Sequence, residues 1–195
     1  MRVYLIRHGQ GPNNTINKSR PAAGWRFDLL QRALAWLPVT PRGAAEARRT
    51  AKTLRAMSDG RIDRLYTSPY GRARTTARII GRRLGVKSHT VNDLREIGPG
   101  LLDGDQPRLP LALHYFVAYA AIFWPGSRGE SWYHGLWRAR AVWGRITAQP
   151  AGQIAIVSHH WFIGTLLLYL RLNPRWRVVH SDGGQGGVTV VEGRR

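Results

Sequence analysis

The chain reads as an α/β protein: a three-layer sandwich with a mostly parallel central sheet, helices on both faces and an apolar helical cap excursion. Short apolar runs rich in β-branched residues alternate with longer segments of helical period, the pattern of strands joined by helical crossovers. Two of the runs, 3–6 and 154–158, are continuously apolar rather than alternating, which places them in the middle of the sheet, covered on both sides. At 195 residues and 22.0 kDa the chain suits one domain with its own core.

In order, strands are expected at Val3 to Ile6, Ile62 to Thr67, His89 to Val91, Ile154 to Ser158 and Val188 to Val191. Helices are expected at Gly43 to Met57, Tyr70 to Leu84, Leu109 to Phe123, Ser131 to Thr147 and Trp161 to Leu170. Two helix starts are legible: Thr40 before Pro41, and Ser68 before Pro69, each pairing a capping hydroxyl with a proline suited to the first turn. There is no internal repeat or linker, so the reading is a single domain with cap segments at about 11–39 and 97–129. Long connections of this kind often build a binding site.

Composition narrows the chemistry. There are 30 Lys and Arg, 27 of them Arg, against 11 acids, giving a formal charge of +19. Such a field attracts anions, whether phosphorylated metabolites, acidic lipid or nucleic acid, although a general preference for Arg accounts for the excess equally well. With no cysteine, disulfides, thiolate nucleophiles and Cys-based zinc sites are all excluded. No leader-like segment opens the chain, so the cytoplasm is the default compartment. The most apolar window, 109–124, is short of a membrane span and holds Pro110 and His114, leaving room only for an interfacial helix.

In an open α/β sheet, ligands gather beyond the carboxyl ends of the strands. Arg7, His8 and Gly9 lie at one such end, Ser158, His159 and His160 at a second, and Thr67 and Ser68 at a third, with Arg72 one turn into the next helix. The blocks RHG at 7–9, TSPYGRARTTA at 67–77, LREIGPGLLDG at 94–104, GES at 129–131 and VSHHWFIGTLL at 157–167 resemble, in this order, the motifs of the histidine phosphatase superfamily, phosphoglycerate mutase-like branch (branch 1). TPRGAAEARRTAKTLR at 40–55 also resembles the first helix of that branch. RHG alone would mean little in so Arg-rich a chain, whereas five blocks in order are specific.

The resemblance implies a metal-independent phosphatase that hydrolyses phosphate monoesters through a phosphohistidine on His8, with no cofactor. His8 would attack phosphorus, and Arg7 and Arg72 would grip the dianion with planar forks. His159 would donate to the phosphoryl oxygens, and Glu96 would protonate the leaving oxygen. Asn14 and Gly9 would add phosphate contacts. Glu130 is either a supporting ligand or a helix-start residue. Two positions depart from the family pattern: His160 stands where glycine is usual, and Gln10 where an acid is common. Arg74, about 200° around the helix from Arg72, is expected to face solvent.

The segments 24–38 and 109–124 are oilier than such connections usually are, which suits a substrate with an anionic head and an apolar or aromatic body, a partner subunit in a homodimer, or an ordinary helical cap. Mutase-type phosphoryl transfer is the nearest alternative activity. A basic nucleic-acid or acidic-surface binding protein on a degenerate phosphatase scaffold is the rival class, but nucleic acid is disfavoured because the eight Trp do not interleave with a basic run. Metal pairs at His159 with His160, or at Asp103 with Asp105, are weak readings, since neighbouring side chains at a strand end diverge and the aspartates follow no clear central strand.

Overall fold

The computed structural model describes residues 1–16, 19, 21–22, 33–98, 109–121, 123 and 130–194. Its centre is a six-stranded sheet made of β1 (Arg2–Arg7), β3 (Arg64–Thr67), β4 (Ser88–Thr90), β6 (Gln153–Ser158), β7 (Trp176–His180) and β8 (Val188–Gly193), in the order β4-β3-β6-β1-β8-β7. The first four strands in that order run parallel, while β8 is antiparallel to β1 and β7 to β8. The two continuous apolar runs, β1 and β6, are the central pair, and Val3 to Ile6 and Ile154 to Val157 are all buried.

Alternation along these strands divides the core in two. Val3, Leu5, Ile154 and Ile156 pack on one face beneath α4 (Trp132–Thr147) and α5 (His160–Leu172). Tyr4, Ile6, Ala155 and Val157 pack on the other beneath α1 (Pro41–Met57) and α2 (Gly71–Leu84). This is the three-layer sandwich expected from the sequence.

Thr40 caps α1 as expected, its hydroxyl accepting from Gly43 N at 3.1 Å. Ser68 does not cap α2. That helix starts at Gly71 with Tyr70 in the capping position, and the Ser68 hydroxyl lies 2.7 Å from His159 Nε2. The third helix, α3 (Leu111–Ala121), is shorter than the expected 109–123, because Leu109 and Pro110 are extended in β5 (Leu109–Pro110), as a residue before proline prefers to be. β5 pairs antiparallel with β2 (Pro21–Ala22), so the two excursions meet. Among the described residues no helix is long and apolar enough to cross a membrane.

Within the six-stranded sheet one strand, β7, has no counterpart among the expected elements, as the short β2 and β5 outside it also have none. It is an edge strand, half exposed, interrupted by an irregularity between Val178 and His180, and it carries Arg177. Edge strands of this kind keep charge on their surface and lose the apolar alternation that marks a strand in sequence.

Candidate active site

Register builds the site. Arg7 lies opposite Ser158, and Thr67 opposite Val157, so β1, β3 and β6 end at one level. Two hydrogen bonds extend this level beyond the ladder: His8 N donates to Ser158 O, and Ser68 N to Val157 O, both at 3.0 Å. The next residues, His8 and His159, thus emerge side by side with ring centroids 4.9 Å apart in a T-shaped contact.

His8 is held as one tautomer. A carbonyl oxygen only accepts, so the 2.7 Å contact to Gly9 O fixes the proton on Nδ1 and leaves a lone pair on Nε2. That lone pair receives the Arg72 Nε–H at 3.0 Å. Burial, followed by the charges of Arg72 and Arg7, pushes the His8 pKa down to about 3, so the ring is a free base at neutral pH.

His159 is fully buried, and its pKa is driven well below the ordinary value by burial and then by the neighbouring His8 and Arg72. Its Nε2 pairs with Ser68 Oγ, and its Nδ1 is buried with no hydrogen-bond partner. Arg7 behaves similarly: Nη1 donates to Gly183 O at 3.0 Å, while Nε is buried without a partner. Two buried polar groups in the neighbourhood of the nucleophile candidate are therefore unsatisfied, an arrangement that costs stability unless a ligand completes it.

Glu96 reaches the same level from the loop after β4. Its Oε1 accepts from Phe162 N at 2.9 Å and from Ile97 N at 3.1 Å, at the start of α5. Burial raises its pKa, while the Phe162 amide, Arg72 and the Ile97 amide pull the other way. The net direction is upward, which favours a protonated carboxyl more than an exposed glutamate would.

The remaining expected residues have partners or positions of their own. Gly9 N donates to Thr76 Oγ1 at 3.1 Å, so its amide is committed within the protein. What its lack of a side chain permits is contact with α1, because a Cβ there would stand 2.4 Å from Gly43 O. Asn14 is exposed, with Oδ1 accepting from Gly11 N at 3.0 Å. Gln10 braces the start of α1: its amide N donates to Glu46 Oε2 at 2.7 Å and its Oε1 accepts from the Thr40 hydroxyl at 2.9 Å.

Glu130 forms a two-pronged ion pair with Arg138, at 2.6 and 2.5 Å, and Arg138 also donates to the carbonyls of Asp93 and Arg95. The pair clamps α4 to the loop that carries Glu96. His160 is exposed at the first turn of α5, with its pKa lowered by burial and by Arg7. Arg74 is exposed, as expected. Asp103 and Asp105 lie outside the described residues, among which no three His, Asp or Glu side chains gather as they would around a metal.

Two contributors were not legible as site residues. Ser68 fixes His159, and Tyr70 packs its ring at 5.2 Å from the His159 ring and under the Arg72 guanidinium at 5.3 Å. Both sit in the TSPYGRARTTA block, which was the available signal.

The family model for the histidine phosphatase superfamily (branch 1) matches residues 3–195. The chain belongs to that superfamily. Solved structures with the same fold include Bacillus stearothermophilus YhfR, 25% identical with a TM-score of 0.63, the match covering 89% of this chain and 81% of that one. They also include a phosphoglycerate mutase from Bacillus anthracis, 22% identical with a TM-score of 0.69, over 99% and 88% of the two chains. A third is the phosphoserine phosphatase of Entamoeba histolytica in complex with 3-phosphoglyceric acid, 20% identical with a TM-score of 0.61, over 97% and 89%. No curated protein matches the chain. Membership places it among phosphatases and phosphoryl-transfer enzymes acting on phosphate groups.

Proposed function

We propose that the chain is a metal-independent phosphatase that hydrolyses phosphate monoesters through a phosphohistidine on His8. The observation that carries this reading is the His8 ring, with its proton parked on Gly9 O and its Nε2 lone pair facing Arg72. This arrangement keeps Nε2 unprotonated and beside the guanidinium that a bound phosphate would need.

On binding, the phosphate dianion competes with Nε2 for the Arg72 donors and offers acceptors to Arg7 Nε. With the Ser68 hydroxyl donating to His159 Nε2, the Nδ1–H of His159 is a third donor for the phosphoryl oxygens. Nε2 then attacks phosphorus in line. The P–O ester bond breaks as the P–N bond forms, and the Glu96 carboxyl gives its proton to the leaving alkoxide. Water, losing a proton to the Glu96 carboxylate, opens the phosphohistidine and returns neutral His8 and inorganic phosphate. All of the positive charge in this scheme comes from Arg7 and Arg72.

The test is to trap an acid-labile phosphoenzyme with a labelled phosphate ester and repeat the trap with His8→Ala. Label on the wild type alone, with release of inorganic phosphate and no bisphosphate requirement, supports hydrolysis on His8. Equal label on both proteins refutes it, and transfer to a second substrate position without phosphate release indicates a mutase.

A further inference from the structure

Four aromatic rings stand in a row from the surface to the nucleophile. Trp36 contacts Tyr70 with centroids 5.9 Å apart, Tyr70 contacts His159 at 5.2 Å, and His159 contacts His8 at 4.9 Å, each pair edge to face. The row runs from Trp36, a residue 61% exposed, to His8, 4% exposed. For an ester whose phosphorus sits by His8 and Arg72, the nearby aromatic ring is Tyr70, packed on both His159 and Arg72, and Trp36 lies next beyond it.

The outer ring is held in place rather than left adrift. A Cβ on Gly71 would stand 1.9 Å from Trp36 O and 2.6 Å from Leu37 O, so the backbone at 36–37 rests directly on the first turn of α2. Leu34, two residues earlier, is buried. Trp36 therefore projects from an anchored segment, yet most of its indole remains in water, where a large apolar ring gains little from the fold. Tyr70 is equally specific in its setting: one side of its ring serves the Arg72 guanidinium, which binds it to the phosphate-gripping group.

We propose that Tyr70 and Trp36, set edge to face, form an aromatic corner in which a planar group stacks on one ring and meets the other with its edge, so that the preferred substrates are phosphate esters with an aromatic or heteroaromatic body. The proposal rests on the phosphoryl site around His8 and adds the class of its leaving group. Flat π-systems stack on such side chains with little regard for their substituents, whereas a compact polyol has only edges to offer and would leave both rings uncovered.

The experiment uses phenylphosphonate and methylphosphonate, two dianions that carry no ester bond to cleave, and measures their dissociation constants by calorimetry on the full chain. The wild type should bind phenylphosphonate about tenfold more tightly, the scale of one stacking contact. In Trp36→Ala and in Tyr70→Leu the phenyl-to-methyl ratio should fall to within about twofold of unity. A wild-type ratio near one, a ratio retained in both variants, or failure to bind either phosphonate overturns the inference. Phosphoenzyme trapping separates this from the catalytic reading. A protein that traps phosphate but shows no phenyl preference defeats the aromatic corner alone, and one that prefers phenylphosphonate without trapping phosphate defeats the mechanism alone.

Discussion

Replacing His8 by Asn should flatten the acid side of the stability curve by a calculable amount. His8 is buried as a neutral ring with a pKa near 3, against an ordinary value of 6.5 in the unfolded chain. Below 6.5 the unfolded state therefore binds a proton that the folded state refuses, and stability falls as the pH falls, at about 1.4 kcal/mol per unit until the folded pKa is reached. Integrated from about pH 7 to about pH 5, the cost to the wild type is about 2 kcal/mol, a large share of an ordinary 5–15 kcal/mol total. His8→Asn lacks this proton. Glu96 titrates in both proteins and cancels in the difference, and His159, held down first by burial and only then by His8, cancels for the larger part. Urea unfolding of the two proteins at several pH values should show the gap between their stabilities shifting by about 2 kcal/mol in favour of the variant over that interval. A gap that stays constant to within ~0.5 kcal/mol would mean that His8 is not held as a buried free base, and the nucleophile assignment would lose its physical basis.

The same depressed pKa predicts that kcat/KM for an aryl phosphate keeps its His8-dependent limb well below the usual imidazole range; a limb centred near 6.5 would contradict it. Glu96→Ala should cost about a hundredfold or more in kcat/KM on alkyl phosphates and far less on aryl phosphates, whose leaving groups need little protonation, and equal losses would argue against the acid role. Gly9→Ala forces a methyl group to 2.4 Å from a backbone oxygen of α1, and should lower stability by about 1–3 kcal/mol, read as a fall in thermal midpoint. Arg138→Met leaves the largely buried Glu130 carboxylate without its forked partner and should cost about 3 kcal/mol in a urea titration, whereas a change below ~0.5 kcal/mol would show the clamp to be dispensable.

The layers and the central strands were legible because burial on both faces leaves an uninterrupted apolar run and a helix on a sheet must show its 3.6-residue stripe, and all five helices were expected, α3 with two residues too many at each end. β7 left no such trace: paired on one side only and half exposed, it has no full face to keep apolar. That His8, Arg72 and His159 meet was legible through the resemblance and the strand ends, since they come from three separate parts of the chain that only register unites. Ser68 was misread because a hydroxyl before Pro69 has the chemistry of a helix cap, and nothing local reveals that a histidine 91 residues away claims it instead. Gly9 was read as an opening for an anion, but the constraint is a neighbouring helix, a contact that sequence spacing does not express.

That contact is reciprocal. Gly43 faces the loop as closely as Gly9 faces the helix: a methyl on Gly43 would fall 2.2 Å from Gln10 O. Two main chains thus touch with no side chain between them, and α1 acts as a stop against which the loop that carries His8 is set to height. Enlarging either position would have to push the two backbones apart, so an alteration that looks like a lone methyl on the periphery would disturb the segment next to His8. Directed evolution of this scaffold toward new substrates should find no freedom at this stop of bare backbone.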